Sequence, residues 1–250
     1  MITAGVDLAT EPASTALATI QWTSTGASVL SVSLGVDDES IAEATMSVAV
    51  LGLDCPLGWP DDFLRFLQAH HGGHVVAPQE VAGKEWRRRL AYRATDRAVW
   101  EASGLTPLSV AADRIGLTAM RAAGLLARLA AQKRPVDRAG GGSVVEVYPA
   151  ASLKLWGLPY RGYKGTANRP QREALLTALT KAAPWLDLGT YADLCARSDD
   201  AVDAVIAAMT SRAAALSRTT VPADDTQREQ ARREGWIALP TGPLSSLVST

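Results

Sequence analysis

The feature that most constrains this chain is an apolar, β-rich run that ends on a carboxylate. Residues 46–54 read MSVAVLGLD, and the chain then passes through Cys55, Pro56, Leu57, Gly58, Trp59 and Pro60. Near-continuous apolar sequence predicts a central strand covered on both faces. Asp54 stands at its tip. Pro56 removes a backbone donor and biases Cys55 toward extended geometry. Gly58 permits a sharp turn, and Pro60 suits the start of a helix. The strand therefore delivers an acid to its own end and holds it there.

The flanking patterns define the fold class. Residues 2–9 (ITAGVDLA), 14–23 (STALATIQWT) and 27–35 (ASVLSVSLG) read as three strands with short connections, which predicts an antiparallel meander. Residues 37–45 (DDESIAEAT) read as a short helix with acids at its start. Helical patterns then cover 61–71, 84–103 and 109–132. In the last of these, Ile115, Leu117, Met120, Leu125, Leu126 and Leu129 recur at three- and four-residue spacing. RAGGGS at 138–143 reads as a turn and SVVEVYP at 143–149 as a strand. Residues 171–183 and 198–216 read as helices, the second Ala-rich with Ser198 or Asp199 as its N-cap, and EGWIALP at 234–240 as a strand or extended segment. The expectation is an α/β fold: a mixed sheet of a three-stranded antiparallel meander plus parallel strands, flanked by helices. With 250 residues, 47% of them hydrophobic, it forms one domain over 1–250 with a helical insertion at about 61–140.

No apolar run reaches about 18 residues, so no membrane span is expected. The start, MITAGVDLAT, lacks the pattern of a secretory signal, which points to the cytoplasm. Only Cys55 and Cys195 are present, which read as small buried hydrophobes rather than a disulfide or zinc framework. The HHGGH stretch (His70, His71, His74) lacks partners at zinc-finger spacing. Charge is unevenly spread. Residues 1–80 hold ten acids and one base, whereas 84–138 hold twelve Lys or Arg and five acids. The basic stretch is either a set of solvated helix faces or a phosphate-contacting face beside an acidic centre.

Acids that interrupt apolar sequence are the candidate site. They are Asp7 in AGVDLA, Asp54, Glu146 in VVEVYP, and Asp200 and Asp203 in DDAVDAV, three apart on one helix face. A lone buried acid is costly, and each has a structural explanation of its own as a cap or ion-pair partner. Convergent acids repel unless a cation joins them. Oxygen-rich clusters suit Mg²⁺ or Mn²⁺, and two such ions about 4 Å apart clamp both oxygens of a phosphoryl displacement.

Seven motifs, GVDLA, GLDCPLGWP, YRATDR, EVYPA, YKG, DDAVDAV and EGWIALP, run in the order seen in domain-of-unknown-function family 429, and the resemblance spans Gly5 to Pro240. That family is described as predicted nucleases of ribonuclease-H-like fold. The resemblance implies divalent-metal-dependent phosphodiester hydrolysis, with nucleic acid as partner and two Mg²⁺ or Mn²⁺ ions as cofactor. Asp7 matches the first-strand acid of the superfamily, Asp54 the fourth-strand acid, and Asp200 and Asp203 the late-helix acids, in a form closer to junction resolvases than to ribonuclease H. One departure stands out. Ribonuclease H takes a Glu from its first helix, and Glu39 and Glu43 give no clear match. Glu146 either replaces that acid from a later strand or positions a neighbour.

Five residues read as substrate contacts or as ordinary surface pairs. Arg93 and Asp96, at i and i+3 on the 84–103 helix, either form an ion pair or place Arg93 on a phosphate. Tyr163 and Lys164, in a Gly-bounded loop near Arg169, either meet a phosphodiester and a base or are simply solvated. Two further function classes compete. GVDLAT resembles the first phosphate loop of actin-like kinases, although 250 residues is short for two such lobes. A non-catalytic interaction module that keeps the fold is the third.

Overall fold

The computed structural model of the protein describes residues 1–74 and 83–248. Strands β1 (Ile2–Asp7), β2 (Ala16–Trp22) and β3 (Ala27–Leu34) come first, then helix α1 (Asp38–Ser47) and β4 (Val50–Asp54). Helices α2 (Asp61–His71), α3 (Lys84–Ala91), α4 (Ala94–Ser103) and α5 (Gly116–Ala131) follow. After them come β5 (Val144–Glu146), α6 (Pro149–Leu155), α7 (Arg169–Ala182), β6 (Leu186–Asp187), α8 (Ala192–Arg197), α9 (Asp199–Ala215) and α10 (Asp225–Glu234). The stretch between residues 75 and 82 of the expected insertion lies outside the described residues.

The sheet runs β5-β4-β1-β2-β3-β6. β1, β2 and β3 form the antiparallel meander, while β4 is parallel to β1 and β5 is parallel to β4. This is the mixed α/β sheet the sequence predicts. Gly5 pairs with Gly52, and two residues on, Asp7 pairs with Asp54. Alternation along a strand puts Gly5, Gly52, Asp7 and Asp54 on one face.

Helix α9 lies on that face and is buried along nearly its whole length, from Ala201 to Ala213. Its side chains are mostly small, so it approaches the sheet closely. A Cβ on Gly5 would fall 2.1 Å from Ala208 N and 2.2 Å from Ala204 O, and one on Gly52 2.5 Å from Ser211 Oγ. Two paired glycines are thus the seat of the helix. Thr3 Oγ1 donates to Ala208 O at 2.8 Å and Ser211 Oγ donates to Ala4 O at 2.8 Å, which fixes the helix lengthwise. On the opposite face Ala4, Val6, Leu51 and Leu53 pack with Ile41 of α1 and Leu125 and Leu129 of α5. Each fully buried Val, Leu or Ile among them is worth about 1.5–3 kcal/mol.

Several expected boundaries shift for local reasons. Met46 and Ser47 end α1 instead of opening β4. The expected 84–103 helix breaks at Tyr92–Arg93, because Asp96 turns back to accept the Arg93 N–H at 2.9 Å and starts a new helix. The 109–132 helix begins only at Gly116. Before it, Asp113 accepts the Ser109 N–H at 2.7 Å and Ser109 Oγ accepts the Ala112 N–H at 3.0 Å, a local bonding pattern that competes with helix. Leu125, Leu126 and Leu129 are buried as their spacing predicts, but Leu117 and Met120 are 62% and 60% exposed. Glu234 ends α10, and residues 235–240, which the sequence reading joined to it, touch the sheet by an isolated bridge from Ile237 to Glu146. Helices α6, α8 and α10 and the two-residue β6 have no counterpart in the sequence reading.

Candidate metal centre

Three carboxylates meet where β1, β4 and α9 come together. One oxygen from each of Asp7, Asp54 and Asp203 lies within 4.8 Å of the others. The paired strand ends bring Asp7 and Asp54 side by side. The close seat of α9 brings Asp203 over them. Asp203 is fully buried, whereas Asp7 and Asp54 keep part of their surface open. They face a cleft of about 540 Å³ whose walls include Leu108, Tyr148, Tyr160, Arg161, Tyr163 and Lys164.

Asp203 is held at both oxygens. Tyr163 donates its hydroxyl to Oδ1 at 2.7 Å. The Lys164 ammonium is 2.7 Å from Oδ2 as an ion pair, which leaves that buried oxygen a further lone pair to offer. Asp200, one turn earlier on α9, is half-buried and close enough to Asp7 to interact with its carboxyl. The i, i+3 spacing puts both acids on the same side of the helix, but the extra turn makes Asp203 the deep one and Asp200 the rim.

The acids are strained electrostatically. Burial, then the charges of Asp203 and Asp54, push the Asp7 carboxyl well above the usual carboxylate range. Burial lifts Asp54 to about 7, against the opposing pull of Lys164. Burial also raises Asp203, again opposed by Lys164, and raises Asp200 together with the charge of Asp199. Lys164 is itself penalised by burial, but Asp203, Asp54 and Asp7 outweigh this and hold it charged. All-oxygen donors, mutual repulsion and a buried oxygen with spare acceptor capacity fit a hard divalent cation.

Glu146 lines the same cleft, beside Arg93, but belongs to a separate cluster. It pairs in register with Leu53, not with Asp54, and so leaves the sheet on the opposite face. Its two oxygens accept from Arg93 Nη2 at 2.7 Å and Nη1 at 2.8 Å, and Oε2 also accepts the Leu57 N–H at 3.0 Å. Arg93 and Asp96 are therefore not a helix-face pair. Asp96 accepts from Arg93 Nε at 3.2 Å and Nη2 at 2.9 Å, and Arg93 Nη1 also reaches Glu234 O at 3.1 Å. Every guanidinium nitrogen is thus engaged, with the side chain buried, a setting unlike that expected of a phosphate contact. Glu234 completes the knot by accepting the Asp61 N–H and the Ala94 N–H, each at 2.8 Å, at the starts of α2 and α4. This second cluster locks the turn behind Asp54 to the helical segment.

Arg169 is exposed, pairs with Glu173 at 2.8 Å and Asp193 at 3.4 Å, and does not line the cleft. A residue that the sequence reading passed over holds the loop instead. Buried Arg172 donates to Tyr163 O at 2.8 Å, Gly165 O at 2.6 Å, Ala196 O at 3.0 Å and Arg197 O at 3.0 Å. Its signal was present: Arg172 shares the i, i+3, i+7 stripe of buried Leu175 and Leu179. Tyr148, Tyr160 and Arg161 are further cleft residues without a distinctive sequence signal.

Sheet order and acid placement together define the class: an α/β protein of ribonuclease-H-like arrangement, with acids gathered at the tips of its first and fourth strands and on a late helix. A family model matches residues 5–227, and the chain belongs to that family, described as a protein of unknown function (DUF429). No curated protein and no solved structure matches the chain.

Proposed function

We propose that this protein is a divalent-metal-dependent nuclease, hydrolysing a phosphodiester bond. The observation that supports the reading best is the meeting of Asp7, Asp54 and Asp203 oxygens within 4.8 Å of one another at a cleft. Asp7, Asp54 and Asp203 would hold the ion, and Mg²⁺ or Mn²⁺ suits their oxygen donors. Bound there, the ion supplies Lewis-acid polarisation of the phosphoryl group and a nucleophile from water near neutral pH. Asp200, at the rim, would orient a water there. Lys164 and Arg161 offer positive charge to the phosphate, with Arg161 stacked over the Tyr160 ring, and Tyr148 offers a face to a base. In this reading Glu146, Arg93 and Asp96 act at a distance, by fixing the turn that carries Asp54, and Arg169 takes no part.

The test is a cleavage assay on single-stranded, duplex, hybrid and branched nucleic acids with Mg²⁺ and Mn²⁺. Wild-type protein is expected to cut at least one substrate, and Asp7→Asn and Asp54→Asn to lose about a hundredfold or more. No cleavage and no metal binding by wild-type protein would overturn the reading. Stoichiometric ATP binding without cleavage would favour the kinase alternative instead.

A further inference from the structure

We propose that the centre takes one divalent ion, not two, and that the Lys164 ammonium is its built-in second cation. This rests on the metal-centre reading of Asp7, Asp54 and Asp203.

Charge count leads there first. Asp7, Asp54 and Asp203, ionised around a bound cation, carry three negative charges, while the charge of half-exposed Asp200 at the rim is screened by water. One ammonium and one divalent ion balance them, whereas two ions beside Lys164 leave an excess of positive charge in a partly buried site. Geometry agrees. Two Mg²⁺–oxygen distances of about 2.0–2.1 Å span about 4.0–4.2 Å, the shell of a single ion. The three carboxylate oxygens fall within 4.8 Å of one another, so small side-chain shifts bring all three onto one ion. A pair of ions about 4 Å apart needs bridging and outlying ligands. Asp203 is poorly suited to bridge, because Tyr163 takes one oxygen and Lys164 sits 2.7 Å from the other. Glu146 cannot contribute, since both its oxygens are bound to Arg93 on the opposite face of the sheet.

Lys164 is not there by the chance fall of a surface side chain. Arg172 holds the carbonyls on both sides of it, at Tyr163 and Gly165, and Asp199 accepts the Gly165 N–H at 3.1 Å. The backbone is therefore clamped to α7 and to the start of α9, so the ammonium is delivered to Asp203 at a set distance. The side chain remains 56% exposed, so its outer side faces the cleft where a phosphate oxygen of the substrate would lie. A fixed ammonium there neutralises the buried acid and meets the phosphate, two tasks that a second metal ion performs in a paired-ion centre.

Counting Mn²⁺ per chain near neutral pH tests this, by isothermal titration calorimetry and by loss of the free-ion electron paramagnetic resonance signal. The full chain is used, with Lys164→Ala and Lys164→Arg beside wild type and circular dichroism as the check on folding. The expected counts are one for wild type, one for Lys164→Arg and two for Lys164→Ala. Two ions per wild-type chain, or one in all three proteins, would overturn the role of Lys164 and leave the metal centre standing. No ion in any of them would instead remove the metal centre itself. If Lys164→Ala does not fold, the wild-type count together with Lys164→Arg still decides between one ion and two.

Discussion

Two acid clusters, one at the tips of β1 and β4 beneath α9 and one at β5 and α4, leave opposite faces of the same sheet beside one cleft, and they are built differently. In the cluster of Asp96 and Glu146, Arg93 answers each carboxylate with two hydrogen bonds, and backbone amides take up further acceptor capacity. In the cluster of Asp7, Asp54 and Asp203, three acids share one ammonium and one phenol. Burial is common to both and distinguishes nothing. What differs is whether the protein supplies enough positive charge and donors itself. A satisfied cluster holds the fold together, and an unsatisfied one is poised for a ligand. This agrees with the general cost of leaving buried charge unpaired.

The comparison can be broken most forcefully at Arg93. Arg93→Met leaves Asp96 and Glu146 buried without their cation, so a loss of about 3–5 kcal/mol is expected in urea unfolding. A loss under about 1 kcal/mol would show that the closed cluster is not held by charge pairing.

Metal addition probes the open cluster. Mn²⁺ at about a hundredfold over its dissociation constant should stabilise wild-type protein by about 2.7 kcal/mol, read as a rise in Tm and reversed by chelator. Asp54→Asn should show no such rise. An equal rise in both proteins would place the ion elsewhere.

The pH dependence of stability sharpens the contrast further. Burial raises Asp54 in the folded protein to about 7 from its usual 3.8. The folded state therefore binds the proton more tightly than the unfolded chain. Its stabilising contribution is complete below about pH 4 and is lost as pH rises through about 7. Without metal, Asp54→Asn should match wild type near pH 4 and become the more stable protein by pH 8, by on the order of 1–3 kcal/mol. A difference that does not grow with pH would mean that Asp54 is not electrostatically strained. The smallest effect belongs to Tyr163→Phe, which removes one hydrogen bond to Asp203 and should cost about 1–2 kcal/mol in the same unfolding measurement.

Much of the open cluster is legible in the sequence. Asp7 and Asp54 each follow an apolar strand pattern, and local chemistry at Pro56, Gly58 and Pro60 marks the strand end. DDAVDAV opens a small-residue helix, so its acids are visible as candidates. Glu146 looks equivalent to Asp54 by the same pattern, an acid in a β-rich run, yet it belongs to the other cluster. The sequence of one strand does not state its offset against the next, and a one-residue difference sends a side chain to the opposite face. Asp200 and Asp203 likewise share a face by spacing, but the depth of the helix on the sheet assigns burial to Asp203.

The sequence by itself determined the principal elements: a meander, a central buried strand, a helical stretch between β4 and β5, and acids at strand ends. These follow from periods of two and of three to four residues, which are local properties of the chain. Tertiary structure alone decided which acids meet, because strand register, the seat of α9 over Gly5 and Gly52, and the clamp of Arg172 on the Lys164 loop depend on contacts between segments far apart in the chain. Local period says where a side chain can point, and only packing between distant segments says what it points at.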